Sequence, residues 1–177
     1  MRSLSLMLVL TSLLISPFSA YAEGQEVRVG IMKNDLGSGW SQKYEASPNV
    51  NFEYLLNSWS TGIGAYIFTP RPHMGMSINT RGGTSQLYAG LTWRINLKSF
   101  FIEPSFGGEI HNAKLKHPKG RKKALGSRLL FRESIAIGYQ FTEQHSLSIM
   151  VDHASNAGTH KPNCGITTVG IRYGYKL

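Results

Sequence analysis

The chain has 177 residues and a formal net charge of +9, from 19 Lys and Arg against 10 Asp and Glu, with six histidines and a single cysteine. One cysteine excludes an internal disulfide, and the length allows one domain. So basic a balance points to an anionic partner, either nucleic acid or a phosphate-bearing membrane surface.

The N-terminus decides between them. Arg2 precedes an apolar run from Leu4 to Ile15, and Ala20, Tyr21 and Ala22 follow it. This is the pattern of a secretory signal peptide, with cleavage expected after Ala22, so that residues 1–22 are removed and 23–177 form the mature domain. The run is shorter than the roughly 20 apolar residues a spanning helix needs, and no cysteine follows it as a lipoprotein signal would require. Export argues against nucleic acid. No later segment is apolar for long enough to make a transmembrane helix, so a membrane-embedded chain must cross as a β-barrel.

Two-residue alternation supports a barrel. Residues 26–32, 49–56 and 62–69 carry a faint alternation. It is plain in 86–96, where Leu87, Ala89, Leu91, Trp93 and Ile95 share one face and Gln86, Tyr88, Gly90, Thr92 and Arg94 the other. Phe100, Ile102, Pro104, Phe106 and Ile110 oppose Glu103, Ser105, Glu109 and His111. Ile135, Ile137, Tyr139 and Phe141 make the next apolar face, residues 147–156 follow, and Val169, Ile171, Tyr173, Tyr175 and Leu177 close the chain. The fold class is therefore all-β, an eight-stranded antiparallel transmembrane β-barrel. A soluble lipocalin-like barrel would turn its apolar face inward, but arginine, glutamate and histidine recur on the face that would have to be its core. Inside a membrane barrel, Glu103 and Glu109 are expected to pair with Arg94 and Arg172.

Short turns and long loops lie at opposite ends of such barrels. Residues 96–99 and 142–144 are expected as periplasmic turns, and 36–48, 70–84, 112–128 and 157–165 as outer loops. Counting by twos from Leu147 then puts His153 and Ser155 on the lipid face at the outer end of their strand. Unpaired polar groups in hydrocarbon cost several kcal/mol, whereas at the rim these two would meet the ester bonds of the outer-leaflet lipid. Side chains two residues apart on a strand lie on one face about 6–7 Å apart, within reach of an imidazole–hydroxyl hydrogen bond and so of a base activating a nucleophile. The spacing alone equally describes two rim residues bonded to water or headgroups.

The longer string is more specific. His153-Ala154-Ser155-Asn156-Ala157-Gly158, then Lys161-Pro162-Asn163 and Gly165-Ile166, resembles the active-site segment of the outer-membrane lipid A 3-O-deacylases. The resemblance extends more loosely through 101–110 and 129–141 to the C-terminus. It implies an eight-stranded enzyme that hydrolyses the 3-position acyl ester of lipid A in the outer membrane without metal or other cofactor. It also implies His153 as base, Ser155 as nucleophile, and Asn156 and Gly158 as holders of the oxyanion. The family's glutamate after the Gly-Ile pair, which orients the histidine, is here Thr167, which cannot supply the negative charge that steadies an imidazolium.

Glu133 is the replacement acid the sequence offers. Phe131, Glu133, Ile135 and Ile137 share a lipid face, and a three-residue turn to the next strand would pair Glu133 with His153, a five-residue turn with Ser155. The alternative is that Glu133 pairs with Arg128 or Arg132. Lys116, Lys119, Arg121, Lys122 and Lys123 in the third outer loop are candidates for binding the phosphates of lipid A or lipopolysaccharide, although a solvated basic loop would look the same. The histidines show no metal-ligand spacing and Cys164 stands in no motif of its own, so neither a metal site nor a thiol nucleophile is expected. Thr167 keeps open a noncatalytic barrel with a surface-binding or structural role. Both a monomer and a homodimer are compatible with the sequence.

Overall fold

A computed structural model describes residues 24–37, 45, 47–58, 69–116 and 122–177. Its strands are β1 (Glu26–Lys33), β2 (Pro48–Leu55), β3 (Arg71–Asn79), β4 (Gln86–Thr92), β5 (Ile95–Leu97), β6 (Phe100–His111), β7 (Leu129–Gln140), β8 (His145–Ser155) and β9 (Ile166–Lys176). All neighbours are antiparallel, and the order β4-β3-β2-β1-β9-β8-β7-β6 is closed by pairing of β4 with β6. β5 continues β4 against β6 in one register, Thr92 facing Ser105 and Ile95 facing Ile102. The nine segments therefore make eight staves of a closed barrel.

Alternation sorts the side chains as a hydrocarbon solvent requires. Ile31, Phe52, Ile137 and Ile149 stand exposed on the outside, in a belt around the barrel. Such a belt far exceeds the few hundred Å² of contiguous apolar surface that soluble proteins expose. The lumen is polar and filled. Arg28 meets Glu26 at 2.8 Å, Glu53 at 3.2 Å and Glu103 at 2.7 Å. Arg71 adds a 2.8 Å contact to Glu26, and Arg172 a 2.7 Å contact to Glu53. Glu103 pairs with Arg94 at 2.6 Å, as expected. Arg172 reaches Glu103 only at 3.9 Å, and Glu109 faces Arg132 at 4.0 Å rather than Arg94 or Arg172. An isolated buried charge would cost several kcal/mol, and this mutual pairing removes that cost while plugging the lumen.

One strand is placed differently from the sequence expectation. Of the expected strand 62–69, residues 62–68 lie outside the described residues, and Thr69 is not in a strand. β3 instead occupies 71–79, inside the expected outer loop 70–84. Pro70, Pro72 and the polar Arg71, His73 and Ser77 read as loop, but a polar lumen accepts Arg71, His73 and Ser77 while Met74, Met76 and Ile78 face outward. The second outer loop thus shrinks to residues 80–85. β2 ends and β3 begins at the end where β1 starts, β9 stops and the turns at 98–99 and 141–144 lie. The opposite end gathers the described residues 34–37, 45, 47, 80–85, 112–116, 122–128 and 156–165, and β8 rises toward it.

Candidate active site

β8 delivers Asp152 and Ala154 inward and His153 and Ser155 outward at its loop-side end. The register fixes their neighbours: Glu133 of β7 is the partner of His153, Phe131 of β7 the partner of Ser155, and Thr167 of β9 the partner of His153 on its other side. The turn between β7 and β8 is as short as expected, with Phe141 N–H donating to the His145 carbonyl at 3.1 Å, and this sets the pairing. Imidazole Nδ1 of His153 lies 2.8 Å from Thr167 Oγ1. Its other nitrogen is the one that can face Ser155. Glu133, His153, Ser155 and Asn163 line an open cleft of about 440 Å³ on the outer surface. On the barrel face, Glu133 is bordered by Phe131 and Ile135 along β7, by Phe106 across β6 and by His153 across β8.

The loop after Ser155 is built around Asn156. Its buried side-chain amide donates to the carbonyls of Leu125 and His160 at 3.0 Å and of Pro162 at 3.2 Å, while its Oδ1 accepts the Gly158 N–H at 2.9 Å. The expected oxyanion donors are thus placed differently: the Asn156 side chain and the Gly158 N–H hold each other and the loop, and Asn156 does not line the cleft. Two groups the sequence reading passed over stand closer. Ala157, with φ of 51°, aims its N–H at Ser155 Oγ from 3.4 Å. Asn163 borders the cleft, and its Oδ1 accepts the Asn156 N–H at 3.2 Å. Asn163 lies within the string that carried the family resemblance; a polar side chain there was the available signal.

Behind the site, Ala113, Leu125, Leu130, Ala154 and Ile166 form a buried apolar cluster with half-buried Cys164 against it, fastening the third outer loop to β7, β8 and β9. Gly126 in that loop has φ of 77°, and a Cβ on it would collide with the Pro162 carbonyl and the Asn156 amide. The basic residues of this loop separate. Lys123 is fully buried, with Nζ 2.6 Å from Asp35 and its N–H 2.6 Å from Glu45 Oε1. It answers those buried carboxylates at the barrel mouth and is not available to a headgroup, contrary to the expectation. Lys116 is exposed and Lys122 half-buried, its Nζ donating to the Asn112 carbonyl at 3.1 Å; Lys119 and Arg121 lie outside the described residues. Among the described residues no group of three His, Cys, Asp or Glu could hold a metal ion.

Comparison with known proteins places the barrel among relatives. The family model described as PagL, lipid A 3-O-deacylase, matches residues 25–176. The lipid A deacylase PagL of Bordetella bronchiseptica (strain ATCC BAA-588 / NCTC 13252 / RB50) is 29% identical over 78 residues, which are 44% of this chain and 42% of that protein. The match thus spans less than half of that relative's length. The crystal structure of the outer membrane enzyme PagL superposes with a TM-score of 0.59 at 21% identity, covering 86% of this chain and 99% of that one. A de novo designed transmembrane β-barrel shares the architecture at a TM-score of 0.50 and 11% identity, covering 89% of this chain and 98% of its own.

Proposed function

Since the chain belongs to the lipid A 3-O-deacylase family, a family of outer-membrane barrels, we propose that it is a serine esterase that removes the 3-position acyl chain of lipid A. The observation that carries this reading is the cleft in which Ser155, His153 and Glu133 stand together on the lipid face at the loop end of the barrel. A polar dyad there meets ester carbonyls at the boundary of hydrocarbon and headgroup.

In the proposed reaction Ser155 Oγ attacks the ester carbonyl as His153 Nε2 takes its proton. The tetrahedral oxyanion is held by the Ala157 N–H and the Asn163 NH₂, with Asn156 and Gly158 acting as the brace that keeps both in place. Collapse expels the glucosamine 3-hydroxyl, which leaves with the proton from His153. Water, deprotonated by the same imidazole, then releases the 3-hydroxy fatty acid and restores Ser155. No cofactor enters.

The acid is divided between two residues. Thr167 Oγ1 accepts the Nδ1–H in the tautomer whose Nε2 is a free base, while Glu133 supplies the negative charge that the family places at position 167. Lys116 and Lys122 draw the phosphates of lipid A to the rim, and export follows cleavage after Ala22. The test is release of 3-hydroxy fatty acid from lipopolysaccharide by the purified, detergent-folded barrel. The wild type releases it and Ser155→Ala does not; equal release by both overturns the assignment of the nucleophile. Thr167 favours one second reading, a barrel that binds lipid A without cleaving it, for which both proteins would be inert yet bind.

A further inference from the structure

Glu133, His153 and Thr167 each have a chain neighbour that alternation turns into the lumen: Arg132 precedes Glu133, Asp152 precedes His153 and Thr168 follows Thr167. These three inward residues are buried and bonded to one another. One Asp152 carboxylate oxygen accepts the Arg132 Nη2–H at 2.7 Å, and the other accepts the Thr168 hydroxyl. A single carboxylate therefore ties β7 to β9 across β8, directly behind the row of Glu133, His153 and Thr167. Arg132 is held in turn from across the lumen. Its guanidinium lies 3.8 Å over the Tyr88 ring, the Tyr88 hydroxyl donates to Glu53 at 3.2 Å, and Glu53 accepts Arg172 of β9 at 2.7 Å.

The backbone ladder runs out at this level. β8 ends at Ser155 and β9 begins at Ile166 opposite Ala154, so the His153–Thr167 pair is next to last in its ladder. On the other side of β9, β1 stops at Lys33 opposite Val169; above it the Leu36 N–H reaches the Thr167 carbonyl at 2.9 Å. Ladder ends open at low cost in free energy. The 2.8 Å contact between Thr167 Oγ1 and His153 Nδ1, however, must stay below ~3.2 Å to remain a good hydrogen bond. We propose that Thr168, bound to Asp152, is the positioning residue that holds Thr167 against His153, and that Arg132 steadies Glu133 through the same carboxylate. This rests on the esterase reading and adds an inner clasp behind the outer row. Glu26, Arg28 and Glu103 fill the lumen nearer the terminus-side end, so filling alone does not call for a tie across these three strands at this row.

Thr168→Val removes the hydroxyl and leaves the Arg132–Asp152 pair intact, so no buried charge is stranded. In release of 3-hydroxy fatty acid from lipopolysaccharide by the full chain folded in detergent, its kcat is expected to fall by about tenfold or more with KM within about twofold. Thr168→Ser is expected to stay within about threefold of the wild type. Thr92→Val, which removes a lumen hydroxyl 2.9 Å from His73 Nδ1, is expected to leave kcat unchanged. Thr168→Val should cost little more once Thr167→Val has removed the histidine's anchor, because both act through one contact. Unchanged kcat in Thr168→Val, an equal loss in Thr92→Val, or losses that multiply in the double variant would overturn the positioning role. Hydrogen exchange of the same folded barrel reads the clasp without turnover. In Thr168→Val the amides of 153–156 and 166–168 are expected to exchange about tenfold faster or more, while those of 145–150 keep their protection. That response alongside a wild type that releases no fatty acid would sink the esterase reading and leave the clasp standing; unchanged exchange throughout would sink the clasp.

Discussion

Replacing Glu133 by glutamine isolates the charge that the account assigns to it. Directly opposed residues of an antiparallel pair hold their Cβ atoms about 4.5–5.5 Å apart, and Glu133 and His153 are such a pair. Two unit charges ~5 Å apart at an effective dielectric of ~20 attract by about 3 kcal/mol, and solvent at the rim lowers this toward about 1 kcal/mol. Since the imidazolium exists only as the serine is deprotonated, this energy lowers the transition state and hardly touches substrate binding. At about 1.4 kcal/mol per factor of ten, kcat should fall roughly ten- to hundredfold while KM stays within about twofold. The assay is 3-hydroxy fatty acid release from lipopolysaccharide in detergent, with heat-modifiable gel migration confirming a folded barrel. Full activity in a folded Glu133→Gln protein would refute the divided-acid argument, and Thr167 alone would then have to support the histidine.

The companion substitution Thr167→Glu returns a carboxylate to the place where Thr167 Oγ1 now meets His153 Nδ1; it should raise kcat and make Glu133→Gln tolerable when the two are combined, which the same assay reads. Gly126→Ala puts a methyl against the Asn156 amide and Pro162 carbonyl at a left-handed backbone position, so kcat should drop tenfold or more with the barrel's thermal unfolding little changed. Arg28→Met leaves Glu26, Glu53 and Glu103 short of a shared counter-ion, a loss of about 3–5 kcal/mol that should appear as a lower urea midpoint for loss of the heat-modifiable form.

What could be read from the sequence follows from the solvent. Hydrocarbon demands an apolar residue at every second position, so Leu87, Ala89 and Leu91, or Ile135 and Ile137, declare their strands without help from the rest of the chain. The same demand is silent about the lumen, which accepts arginine, histidine, glycine and serine alike, and that is why β3 resembles a loop. That His153, Ser155 and Glu133 share one face at neighbouring positions was legible because a period of two and a short turn limit their register to two choices, of which the three-residue turn is the one formed. Asn156 and Lys123 were not, since their roles arise from contacts between distant loops. Lys123 meets Glu45 and Asp35 across 78 and 88 residues of chain, and Asn156 meets Leu125 across 31. Such closures depend on the finished barrel bringing its loops to one end, and local pattern carries no record of them.

Whether Ser155 cleaves an ester of lipid A in the outer membrane is read by mass spectrometry of lipid A from one Gram-negative host expressing either the wild type or Ser155→Ala. Loss of one 3-hydroxyacyl chain is expected with the wild type, and intact lipid A with Ser155→Ala. Unchanged lipid A in both, with the wild-type barrel folded in the outer membrane, would contradict the esterase reading.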